Sequence, residues 1–130
     1  MAIDLAKINS ANLTALYVVP PSMRYGYTGH GTMPGFSEPL KEVLAIALDK
    51  GQSYVDQVKK IGSDKSINVQ TEVIVSEGSV SKEITEYAED HKIDLIIVGT
   101  RGMTGIKKML LGSTASEVVT YAHCPVLVVK

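Results

Sequence analysis

Apolar residues gather in four short runs along the chain: Asn12–Val19, Asn68–Val75, Asp94–Gly99 and Pro125–Val129. The last two are almost unbroken aliphatic, the pattern of strands covered on both faces. The second alternates Val69, Thr71, Val73 and Val75 with polar neighbours, as an edge strand does. Between the runs the period changes to three and four. Leu40, Val43, Leu44, Ala47, Gly51, Tyr54, Val55, Val58 and Ile61 predict a long amphipathic helix, with Ser37 placed to cap it and Pro39 tolerated in its first turn. Val80, Ile84, Tyr87 and Ala88 predict a second, capped by Ser79. A third, about Ser113 to His123, turns Ala115, Val118, Val119 and Ala122 inward, and Thr114 and Glu117 have capping-box spacing. The chain also begins in a helical pattern, Ala2–Asn9.

Alternating strands and helices predict parallel βαβ units: an α/β fold with an open, Rossmann-like parallel sheet and helices on both faces. Pro20–Pro39 has no period and reads as a mobile loop, a candidate lid. At 130 residues the chain fits one domain, which buries roughly two-thirds of its unfolded surface. With 45% apolar residues but 5% aromatic and no Trp, the core must be aliphatic.

Charge narrows the partners. A net charge of −1 gives no general attraction to nucleic acid or to an anionic membrane, so anion binding must come from local geometry. No apolar stretch approaches the length of a membrane span. The single cysteine, Cys124, forms no internal disulfide and suits the reducing cytoplasm.

The chemistry is concentrated after the third strand: Gly99-Thr-Arg101-Gly102, nine intervening residues, then Gly112-Ser113-Thr114. Ligands of open α/β sheets bind beyond the carboxyl ends of the strands, where Gly99 falls. Gly99 and Gly102 allow close backbone approach and positive φ. Gly112 and Ser113 open the last helix, whose free N–H groups and dipole attract anions. Arg101, Lys107 and Lys108 add positive charge. The loop is neither a Walker A loop nor a dinucleotide fingerprint. On spacing alone two readings stand: a phosphate cradle, or glycines that only end a strand and start a helix.

The Gly-x2-Gly-x9-Gly-Ser pattern, with Ile93-Asp-Leu-Ile-Ile-Val-Gly99, the closing Cys124-Pro-Val-Leu-Val-Val and the opening Ala-Asn-Leu-Thr-Ala-Leu-Tyr-Val-Val, resembles the nucleotide-binding universal stress proteins over nearly the whole chain. The resemblance implies an adenine nucleotide alpha hydrolase-like fold that binds ATP, or AMP or ADP, with Mg or Mn beside the phosphates. It implies that Val18 and Val98 face adenine and Gly99 the ribose. Gly102, Gly112, Ser113 and Thr114 then face the phosphates, with Arg101 nearby. It further implies a homodimer formed through Pro125–Val129, and a regulatory role in stress with at most weak ATPase activity.

One departure stands out. The family opens with a strand ending in a Pro-x-Asp-type turn, and nothing here corresponds to it. Truncation, direct pairing of the neighbouring strands, or a strand donated by another chain would each explain this; truncation is the reading taken, with weakened nucleotide affinity as its consequence. The competing function is a dimerisation and protein-interaction module that binds no nucleotide.

Elsewhere the residues read as ordinary structure. His30, His91 and His123 lack metal-ligand spacing with one another or with Cys124. His91 fits a helix end, and Cys124 fits a small buried hydrophobe. The acidic residues from Glu72 to Asp90 form a solvated surface, and no general base stands out.

Overall fold

The computed structural model describes residues 1–21, 37–100 and 111–130, with side chains from residue 41 in the second segment. It divides into two units, Met1–Glu77 and Gly78–Lys130. The loop expected over Pro20–Pro39 falls mostly outside the described residues.

In the first unit, helix α1 (Ala2–Asn9) buries Ile3 and Ala6 and ends at Ser10, whose φ of 50° turns the chain left-handed. The Ala11 amide returns to the Ala6 carbonyl at 2.9 Å, closing the helix end. Strand β1 (Leu13–Val19), helix α2 (Ser37–Asp64) and strand β2 (Val69–Val75) then form one βαβ crossover. The two strands pair in parallel at all seven positions, from Leu13 with Val69 to Val19 with Val75. Ser37 is already helical, so the cap position falls on residue 36, outside the described residues.

Two glycines set how closely α2 lies on this ladder. A Cβ at Gly51 would lie 2.5 Å from Tyr17 Cδ1, and one at Gly62 would lie 2.4 Å from Val69 Cγ2. Tyr54 stacks on the Tyr17 ring at 5.7 Å between centroids, and Val55 is buried. The helix stops through Ile67, whose amide donates to the Gly62 carbonyl at 2.8 Å, with Ser66 left-handed at φ 61°.

Lys65, just past α2, holds Asp4 of α1 at 2.6 Å. The Lys65 hydrogen bond, reinforced by its charge, keeps the Asp4 carboxyl below its ordinary value of 3.8. A carboxylate depressed in the folded state contributes stability above its unfolded pKa and loses it as pH falls through the folded value. The stability difference between wild type and Asp4→Asn, read from denaturant midpoints, is therefore expected at neutral pH; it should begin to shrink below about pH 4 and vanish only once the pH has fallen past the lowered folded value.

In the second unit, helix α3 (Val80–Asp90) is capped as predicted: the Ser79 hydroxyl accepts from the Lys82 amide at 3.2 Å. Strand β3 (Ile96–Gly99), helix α4 (Ser113–Tyr121) and strand β4 (Val126–Val129) follow. β3 and β4 pair in parallel, Ile96 with Val126 through Gly99 with Val129. Ala88, Ile96 and Val118 form the buried centre, with Ile84, Val98, Cys124 and Val126 packed on it. The alternation of parallel strands with helical crossovers is the predicted α/β class. The strands pair as β1–β2 and β3–β4. β4 is half-buried along its whole length, less covered than its aliphatic sequence predicts. Among the described residues it has one ladder partner, β3.

Candidate functional site

The site begins where the β3–β4 ladder runs out. Past Gly99, the Thr100 amide still donates to the Val129 carbonyl at 2.8 Å. The Thr100 carbonyl in turn accepts from the Gly112 amide, also at 2.8 Å. That second bond closes the base of the intervening loop and sets the end of β3 against the start of α4. The two glycine-bearing turns read from the sequence therefore meet at their described ends.

The bond also changes the role of Gly112. Its N–H, counted among the free donors, is spent on Thr100. Its backbone (φ −66°, ψ 157°) is extended and open to any residue. What glycine supplies here is the missing side chain rather than a special dihedral angle.

Gly112 is the cap residue of α4, and among the described residues no side chain caps the helix. The first intrahelical bond runs from the Ser116 amide to the Gly112 carbonyl at 2.9 Å. The amides of Ser113, Thr114 and Ala115 thus head the helix without intrahelical acceptors, at the positive end of its dipole. Ser113 is exposed, Thr114 half-buried and Ala115 buried; Gly99 is exposed and Val98 half-buried.

The capping box expected between Thr114 and Glu117 does not form. The Glu117 carboxylate instead accepts from the Ser81 hydroxyl of α3, and Ser81 lies 3.1 Å from Ser79. A tertiary partner has displaced the local one. Ser81 is 4% exposed and shares a face with Ile84 and Ala88. A small polar residue at that spacing was the signal in the sequence for an interhelical contact.

Of the predicted site residues, Val98, Gly99, Gly112, Ser113 and Thr114 lie in the second unit. Val18 lies in the first, 8% exposed and paired with Ile74. Arg101, Gly102, Lys107, Lys108 and His30 lie outside the described residues. His91 ends α3, its ring stacked 3.9 Å from Tyr87. Among the described residues no three His, Cys, Asp or Glu side chains gather as metal ligands. No helix among them is long and apolar enough to cross a membrane.

The profile of the universal stress protein family matches residues 1–130. This chain belongs to that family. It is 43% identical over 129 residues to universal stress protein MJ0531 of Methanocaldococcus jannaschii, covering 99% of this chain and 71% of that one. The solved structure of universal stress protein UspA from Lactobacillus plantarum superposes with a TM-score of 0.82 at 30% identity, covering 99% of this chain and 84% of that one. A more distant universal stress protein, from Archaeoglobus fulgidus and solved in complex with dAMP, shares the fold at 19% identity and a TM-score of 0.59, with 99% and 82% covered. The Rossmann-like α/β class of this universal stress protein is that of its solved relatives.

Proposed function

We propose that this universal stress protein is a regulatory binder of an adenine nucleotide, ATP or its AMP and ADP forms, with at most slow hydrolysis. The observation that supports it most directly is the Gly112 to Thr100 hydrogen bond. It sets the exposed end of β3 beside three helix-heading amides that no side chain among the described residues caps. An anion is the natural acceptor for such donors. The phosphates are assigned to Ser113 and Thr114, with Gly112 giving them room to approach rather than a donor and Arg101 and Gly102 also assigned to them, and the ribose and base to Gly99 and Val98. The base contact at Val18 rests on the family resemblance alone. The dAMP bound by the Archaeoglobus fulgidus relative is a ligand of the same class.

Magnitudes explain why the base has to contribute. Three charge-assisted hydrogen bonds give roughly 5–9 kcal/mol, at about 1.5–3 each. Association costs of about 4 kcal/mol or more leave only millimolar-grade affinity or worse from the phosphates alone. Magnesium or manganese is expected to arrive with the phosphates, held chiefly by them.

Mass spectrometry of the protein, purified natively and then denatured, is expected to release an adenine nucleotide, and Mg-ATP added to nucleotide-free protein should give a saturable calorimetric signal. Absence of both would leave the second reading, an interaction module. That reading draws on β4, whose four residues are aliphatic and half-buried. A homodimer through Pro125–Val129 is compatible with either reading, as is a cytoplasmic location.

A further inference from the structure

Helix α4 has two possible starting points. The observed one has Gly112 at the cap, with the Ser113, Thr114 and Ala115 amides given no acceptor among the described residues. The other is written locally: Thr114 and Glu117 are three residues apart, the spacing at which a threonine cap and a glutamate satisfy each other's amides. A start at Thr114 would unwind the first two residues and place the Glu117 carboxylate on the Thr114 amide. An anion at α4 would use that same donor.

Side chains on a helix lean toward its N-terminus, so Glu117 is directed toward this end by default. It is held elsewhere. Its carboxylate is taken by the Ser81 hydroxyl of α3, which is buried and lies 3.1 Å from Ser79, the cap of that helix. α3 and α4 pack together within the same unit, so the contact, between the buried Ser81 and the exposed Glu117, bridges two helices of that unit.

We propose that Ser81 is a positioning residue for the nucleotide site: by engaging Glu117 it holds α4 in its Gly112 start and denies it the self-capped start at Thr114. The proposal deepens the nucleotide reading above and rests on it for its effect on affinity. The selection of the helix start is separate and can be read without any ligand.

The test uses the full chain. Ser81→Ala removes one oxygen and frees Glu117 to cap its own helix; Mg-ATP affinity by calorimetry should fall about tenfold, the worth of one helix cap as an equilibrium constant. Adding Glu117→Ala in the same protein removes the competing carboxylate and should return affinity close to wild type. A purely packing role for Ser81 predicts no such rescue, and a double variant as weak as Ser81→Ala overturns the proposal.

Amide hydrogen exchange of the ligand-free protein gives the independent reading. In wild type the Ser116 amide should be protected and the Thr114 amide should exchange rapidly. In Ser81→Ala, protection should move from Ser116 to Thr114. If it stays at Ser116, the second helix start does not exist and the proposal fails. Wild-type protein that binds no Mg-ATP, while Ser81→Ala still moves the protection, rejects the nucleotide reading and keeps the helix switch.

Discussion

Replacing Gly62 with valine should be the most damaging single substitution in the Met1–Glu77 unit, lowering stability by about 3 kcal/mol. Two effects oppose each other at this site. Removing a glycine from a helix interior gains up to about 1 kcal/mol of propensity when alanine takes its place. Against that, a new Cβ would meet Val69 Cγ2 at 2.4 Å and the Ile67 carbonyl at 3.0 Å. Neither neighbour can retreat cheaply. Val69 is 1% exposed, and the turn carrying Ile67 is fixed by the hydrogen bond its N–H donates back to the Gly62 carbonyl. Overpacking of this kind costs about 1–3 kcal/mol, so alanine already comes out destabilising. Valine adds two methyl groups and a β-branch that a helix tolerates less well. The expected order of thermal midpoints is wild type, then Gly62→Ala, then Gly62→Val, the last lower by roughly 10 °C. Gly78→Ala is the control, because its Cβ would meet only Lys82 Cδ at 3.6 Å and the midpoint should hardly move. Equal midpoints for all four proteins would mean that α2 does not lie on β2 as closely as described.

Gly62 also illustrates what the sequence could and could not convey. The helical period and the aliphatic runs are local properties, and they located every described helix and strand. Ends were less legible, for identifiable reasons. β3 was expected from Asp94 but starts at Ile96, because its first ladder bond runs from the Ile96 amide to the Pro125 carbonyl. α4 was expected to reach His123 but stops at Tyr121; Ala122 already has an extended ψ of 139°, and a proline follows Cys124. The candidate site was legible as a spacing of glycines and not as a geometry. That the Gly112 amide is spent on Thr100 depends on how the strand end and the helix start meet. Glu117 shows the same limit. Its neighbour at three residues suggested a capping box, yet the hydroxyl that holds it stands 36 residues away in sequence.

Gly112→Val should abolish Mg-ATP binding while leaving the fold standing. The backbone at this residue decides both outcomes. With φ at −66° and ψ at 157°, position 112 is in extended space that β-branched residues favour, so valine brings no dihedral strain. The bond it donates to Thr100 is a backbone bond and survives the change. Valine is a poorer helix cap than glycine, which sets the expected stability loss at about 1 kcal/mol. Two methyl groups now stand where a phosphate must approach the amides of Ser113 and Thr114 to within about 3 Å. The ligand cannot retreat and keep those bonds, since charge-assisted hydrogen bonds lose most of their value over an added ångström or so. Loss of two of them, at about 1.5–3 kcal/mol each, lowers affinity by two orders of magnitude or more and takes a weak site beyond calorimetric detection. The measurement pairs an Mg-ATP titration with a thermal melt of the same sample. A folded Gly112→Val protein that still binds with wild-type affinity would move the nucleotide away from the head of α4.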